Sequence, residues 1–217
     1  MMKDQIERAI DLVLEQDQNG FLNILKVKKI NYTVRPDGTV DVEGNINLNS
    51  MNLKKFPIKF GVVTGYFDCS HNQLTSLEGC PEKVRSYFSC NFNQLTSLEG
   101  CPGKVDGGFH CSHNLLTSLE GCPKKVKGSF DCSRNQLTTL QGCPEKVEGW
   151  FDCSYNKLTT LRGCPKKVEG GYKCDHNPLK FTKEDIELAK QGNAPLGLPL
   201  SFVLMKNKEK EFRRKKM

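Results

Sequence analysis

Between residues 42 and 181 the apolar positions fall into a frame that returns every 21 residues. Each unit carries an aromatic-x-Cys signal: Phe67-Cys69, Phe88-Cys90, Phe109-Cys111, Phe130-Cys132 and Phe151-Cys153. The run N-x-L-T-x-L-x-G-C-P-x-K-V follows, beginning at Asn72, Asn93, Asn114, Asn135 and Asn156. A sixth copy starts at Tyr172-Cys174-Asp175-His176-Asn177 and then dissolves. Stepping back 21 residues from Phe67 lands on Ile46, so a degenerate first unit begins near Val42, giving about seven units. A fixed period of this length predicts a solenoid, because one unit cannot bury its apolar side alone and stacked units can.

Within a unit, the alternation Phe in, Asp out, Cys in predicts a short half-buried strand. The asparagine is placed to turn its amide onto backbone groups where the chain leaves that strand. Leucines such as Leu74 and Leu77 return to the same core, Gly-Cys-Pro permits a reversal, and a valine such as Val84 closes the coil. At about 4.8 Å between parallel strands, seven units give a body roughly 34 Å long.

The flanks break the period. Residues 3–17 read as an amphipathic helix through Ile6, Ala9, Ile10, Val13 and Leu14. Residues 31–42 read as a hairpin on Pro36-Asp37-Gly38. Thr182 opens T-K-E-D, close to a capping box, and a helix is expected over 182–191. The expected organisation is an N-terminal cap over 1–41, the solenoid over 42–181, a C-terminal cap helix and linker over 182–200, and a basic tail over 201–217.

The pattern F-x-C-S-x-N-x-L-T-x-L resembles the leucine-rich-repeat consensus, with Phe and Cys at two of the usual leucine sites. The short unit is similar to the bacterial type and to small repeat proteins of large bacteriophage genomes. The resemblance covers about residues 42–181. It implies a curved solenoid with a parallel sheet on the concave side, short turns on the convex side and helical caps at both ends. It also implies protein recognition as the role and carries over no catalytic residue. A non-enzymatic module without cofactor or metal is therefore expected, as a phage protein directed at a host factor in the host cytoplasm.

Composition is compatible with this. Hydrophobic residues make up 37 % of the 217, charged residues 26 %, and the formal net charge is +7. That content supports a packed core and argues against wholesale disorder. No apolar run reaches the roughly 18–20 residues of a membrane helix, and the acid-bearing N-terminal stretch does not read as a secretion signal. A cytoplasmic protein is expected. All eleven cysteines fall on two repeat positions, six in the strand and five in Gly-Cys-Pro, and so read as small core residues rather than disulfides or zinc ligands. Cys-x-His at 69/71, 111/113 and 174/176 is the one spacing that invites a metal reading. The bend that the family geometry puts after the cysteine turns the histidine outward and breaks the pair.

Three outward columns carry the candidate partner site. Before each asparagine stand His71, Phe92, His113, Arg134, Tyr155 and His176; before each strand aromatic, Tyr66, Tyr87, Gly108, Ser129, Trp150 and Gly171. The central outward position reads Asp68, Ser89, His110, Asp131, Asp152 and Lys173. Aromatic, His and Arg side chains of this kind anchor protein interfaces, and they also stabilise neighbouring strands. The resemblance places all three columns on the concave sheet. On the opposite side Lys83, Lys104, Lys125, Lys146 and Lys167 form a like-charge column that Glu78, Glu99 and Glu120 are placed to offset only in the early units. With the basic end of the chain, including Arg213 and Arg214, the lysines support the alternative of a nucleic-acid-associated factor. Solvated charge is the blander account of both. An enzyme would have to use Asp68, Asp131 or Asp152 with a nearby histidine, and the sequence offers neither nucleophile nor pocket.

Overall fold

A computed structural model describes residues 18–191. The expected helix over 3–17, the linker and the basic tail with Arg213 and Arg214 lie outside those residues. What is described is a parallel β-solenoid of about six turns with two helices.

The chain enters through α1 (Gln18–Val27), which the sequence reading did not anticipate. Gly20 inside it costs about 1 kcal/mol relative to alanine. Burial of Phe21 and Leu25 offsets that cost, with the Phe21 ring edge-on to Phe60 at 5.6 Å. The expected hairpin follows as β1 (Asn31–Val34) paired antiparallel with β2 (Val40–Glu43). Its turn closes with the Gly38 N–H donating to the Arg35 carbonyl at 2.9 Å, and Gly38 sits at φ 81°. The Asp37 carboxylate braces the exit by accepting from the backbone and hydroxyl of Thr39.

From there two strands recur in each coil. The first set comprises β4 (Phe60–Val63), β6 (Lys83–Val84), β8 (Lys104–Val105), β10 (Lys125–Val126), β12 (Lys146–Val147) and β14 (Lys167–Val168). With β1 and β2 it forms an eight-stranded sheet that is parallel from β2 onward. The second set comprises β3 (Ile46–Asn47), β5 (Phe67–Asp68), β7 (Phe88–Ser89), β9 (Phe109–His110), β11 (Phe130–Asp131), β13 (Trp150–Asp152) and β15 (Gly171–Lys173), a seven-stranded parallel sheet. Ile46 pairs with Phe67, so the first unit keeps the 21-residue step.

The second sheet corrects the expectation of a single sheet backed by turns. Lys-Val is only two residues long and carries no readable alternation. Stacking at one coil spacing nevertheless aligns its backbone groups with those of the next coil, and the ladder forms. The Gly-Cys-Pro reversal is as expected: the Cys101 N–H reaches the Leu98 carbonyl at 3.0 Å with Gly100 at φ 82°, a turn whose third residue must take positive φ.

Between the sheets lies one continuous core. Phe67, Phe88, Phe109, Phe130 and Phe151 stack at 5.1–6.0 Å between centroids and end on Tyr172 at 4.9 Å. Buried asparagines hold the coils together. The Asn135 amide donates to the carbonyls of Cys111, Cys132 and Ser133 at 3.0–3.2 Å, and its oxygen accepts from the Leu116 N–H at 3.0 Å. Asn93, Asn114 and Asn156 repeat the arrangement. The chain then turns into α2 (Lys183–Lys190), which begins with the anticipated capping box between Thr182 and Asp185.

Candidate partner-binding face

The three outward columns differ in backbone setting. Residues before the strand aromatics and at the central position lie along the seven-stranded sheet. The residues before the asparagines lie beyond it, where each coil bends. His71, Phe92, His113, Arg134, Tyr155 and His176 all take φ between 52° and 55°. Their backbone N–H groups each reach a carbonyl of the next coil at 3.0–3.1 Å, from His71 to Tyr155. That bend separates each histidine from the cysteine two residues earlier: Cys69 and Cys111 are buried, and His71 and His113 turn out.

The bend also aligns the side chains into a ridge. His71 stacks on Phe92 at 4.2 Å and 12°, and Phe92 stacks on His113 at 3.9 Å and 20°. Further along, the Arg134 guanidinium lies 4.1 Å from the centroid of Tyr155, which stacks on His176 at 4.0 Å and 7°. Left-handed backbone at a non-glycine residue costs on the order of 1–3 kcal/mol. Each aromatic pair returns about 0.5–1.5 kcal/mol beyond its area. The two nearly cancel, so the ridge is not explained as a source of stability.

On the sheet, Tyr66 stacks on Tyr87 at 4.8 Å and 9°, and Tyr87 meets His110 edge-on at 6.4 Å. The His110 ring folds over Gly108, where an added Cβ would come within 2.7 Å of its Nε2. Burial lowers the pKa of His110, with Asp131 and Asp68 pulling the other way. Trp150 lies across Gly171 in the same manner and is 60 % exposed, the most exposed aromatic of the described residues.

The carboxylates of the central column serve the bend. Asp68, Asp131 and Asp152 accept from the backbone N–H of Ser70, Ser133 and Ser154 at 2.9–3.0 Å. Asp152 also pairs with Lys173 at 3.3 Å. Each carboxylate is thus tied to a buried serine two residues on, an arrangement that braces the backbone at the bend.

On the other sheet, Lys83, Lys104, Lys125, Lys146 and Lys167 do stack in register. Their offset differs from the expected one. Glu78, Glu99 and Glu120 form no ion pair with them; instead Glu148 takes Lys146 at 2.9 Å and Lys125 at 3.4 Å, and Glu169 takes Lys167 at 3.1 Å and Lys146 at 3.2 Å. Glu148 and Glu169, two residues after Lys146 and Lys167, pair with the column, whereas Glu78, Glu99 and Glu120, five residues before a lysine, are separated from it by the Gly-Cys-Pro reversal. Hydrogen bonding from Lys146 holds the Glu148 carboxyl below its usual range, and Lys167 does the same for Glu169.

All eleven cysteines are free thiols, and burial pushes them well above the usual thiol pKa, to about 11 at the partly exposed Cys174. No three His, Cys, Asp or Glu side chains converge as a metal ion requires, and no helix is long and apolar enough to cross a membrane, among the described residues. Two exposed positions flanking the ridge were missed by the column comparison: Leu115 and Lys157, which follow Asn114 and Asn156. The same 21-residue alignment contained that signal, because Gln73, Gln94 and Gln136 fill the site in other coils. No family model, curated protein or solved structure matches the chain.

Proposed function

We propose that the chain is a non-enzymatic interaction module that holds a protein partner on the seven-stranded sheet and the ridge beside it. The observation that carries this reading is the ridge. Six consecutive coils place a large ring or a guanidinium at a left-handed position where asparagine or glycine would be less strained. Stacking offsets the strain without exceeding it, while Phe92 and Tyr155 stay 41 % and 37 % exposed and Trp150, on the adjoining sheet, 60 %. Rigid, exposed aromatic and Arg side chains are the types that dominate binding energy in protein interfaces.

The finer reading follows the motif. The Asn ladder and paired leucines support a leucine-rich repeat of the short bacterial and bacteriophage type, with α1 and α2 closing its ends. The host-directed role in a reducing host cytoplasm rests on that resemblance, and eleven unpaired thiols suit such a compartment. The lysine column lends little to the nucleic-acid alternative, because three of its five members are already bridged by carboxylates.

The test is an affinity capture from nuclease-treated bacterial lysate, comparing wild type with Trp150→Ala/Tyr155→Ala and with a 206–217 deletion. Retention of one protein by wild type and by the deletion, lost in the aromatic variant, is expected. Retention that disappears with nuclease or with the tail would sink the reading.

A further inference from the structure

We infer that the ridge takes a carboxylate-bearing segment of an acidic polypeptide, with Arg134 as the fork that receives the carboxylate. This rests on the binding-face reading above and adds the chemistry of the partner.

Arg134 is exposed and its guanidinium is fixed over the Tyr155 ring at 4.1 Å. Among the described residues its side chain makes no hydrogen bond and no ion pair. Arg35 shows the contrast: Asp41 holds it through Nε and Nη2 at 2.9 and 2.8 Å, and Glu82 through Nη1 at 2.9 Å. A guanidinium stacked by its face keeps its N–H edge free, and that planar edge matches a carboxylate in a bidentate pair. Ring stacking has already removed much of the side chain's freedom, so less is lost on binding.

The surroundings favour the same ligand. The carboxylates nearest in the sheet are engaged, Asp131 by Ser133 and Asp152 by Ser154 and Lys173. His113, the next ridge member, has an Nδ1 that is buried without a partner. Trp150, in the coil that follows Arg134, is an exposed apolar side chain within reach of a peptide that extends past that coil. The chain's net charge of +7 steers acidic segments toward it.

Protons should couple to this binding. Desolvation lowers the His113 pKa, Arg134 and His71 add to that through charge, and Asp131 opposes them. A carboxylate seated on Arg134 cancels part of the positive field and raises the pKa again. Binding then takes up a proton at His113 and strengthens as pH falls below the ordinary histidine value of about 6.5, while glutamate stays ionised above about 4.3.

The experiment is calorimetric titration of the full chain with three twelve-residue peptides of equal aromatic content, built on Glu, Ser or Lys, and with an oligothymidylate. The Glu peptide should bind more tightly than the others, and Arg134→Gln should weaken it by about tenfold or more. Arg134→Lys should restore only part of the affinity, and His113→Gln should flatten the pH dependence. Equal binding of the Ser or Lys peptide, lost in Trp150→Ala, would overturn the carboxylate assignment and leave the binding face standing. Glu-peptide binding indifferent to Arg134→Gln would reduce the effect to bulk charge and overturn it too. Binding of the oligothymidylate alone would overturn both readings.

Discussion

The two sheets of this solenoid face solvent with the same period and opposite habits. On the eight-stranded sheet, Lys125, Lys146 and Lys167 stack in register and are bridged by Glu148 and Glu169. On the seven-stranded side, rings stack on rings, a guanidinium stacks without a counter-ion, and a tryptophan stands 60 % exposed. The first surface pairs three of its five stacked lysines itself. The second holds strained backbone and large apolar edges that its own contacts only break even on. Periodicity therefore says where a column runs, and internal satisfaction says whether the column is left over for a partner.

If neither outer face holds the coils together, the largest loss should come from beneath both. Asn135→Ala strands the Leu116 N–H in the interior and takes one of two donors from each of three carbonyls, Cys111 keeping Asn114, Cys132 keeping Asn156 and Ser133 keeping the His113 N–H. At about 1–3 kcal/mol for the stranded N–H and about 0.5 kcal/mol for each donation lost from a carbonyl that keeps another, the expected cost is about 3–4 kcal/mol. Chemical denaturation followed by circular dichroism checks this, and both sheets should be lost together. A cost below about 1 kcal/mol would show that the faces carry the fold after all.

Next in size is Trp150→Ala, which should leave stability within about 0.5 kcal/mol and weaken the captured partner by about 2 kcal/mol or more, roughly thirtyfold. Equal stability with undiminished affinity would remove the sheet's aromatic end from the binding face. The corresponding change on the other sheet, Lys104→Ala, should leave partner affinity unchanged.

The ridge can be divided into strain and stacking by one pair of variants. Phe92→Ala keeps the left-handed backbone and loses both ring contacts, for an expected loss of about 1–3 kcal/mol. Phe92→Gly loses the same contacts but relieves the backbone, and should fall within about 1 kcal/mol of wild type. Equal destabilisation by the two would mean that no strain is stored at φ 52°.

These faces were unequally legible in the sequence. The 21-residue step, the Asn-x-Leu frame and the Gly-Cys-Pro turn fixed the stacking, and T-K-E-D marked the start of α2. Each is a local signal whose physical cause sits within a few residues. The second sheet left no such mark, because a Lys-Val strand exists only through pairing with copies 21 residues away. The pairing of Glu148 and Glu169 with lysines was missed for a related reason: counting along the chain does not show that the intervening turn carries Glu120 to another side. Candidate ridge residues were all found by aligning the repeat. Their left-handed backbone was not, since His, Phe, Arg and Tyr do not advertise such a bend.

The smallest effect belongs to the lysine face. Glu148 and Glu169 are exposed to solvent screening, and their carboxyls are held below the usual range by hydrogen bonds from Lys146 and Lys167. A depressed carboxyl stabilises the fold above its unfolded pKa of about 4.3 and gives that up as pH falls through the folded value. Wild type should therefore lose a little stability between about pH 4.5 and 3, and Glu148→Gln should lose less over that interval while starting slightly lower at pH 7. Raising the salt should shrink the difference between the two chains, because exposed pairs are screened. Melting midpoints across pH and ionic strength check this. If Glu148→Gln instead proved as damaging as Asn135→Ala, the lysine–glutamate lattice would be a structural spine, and the contrast between a face at rest and a face left open would fail.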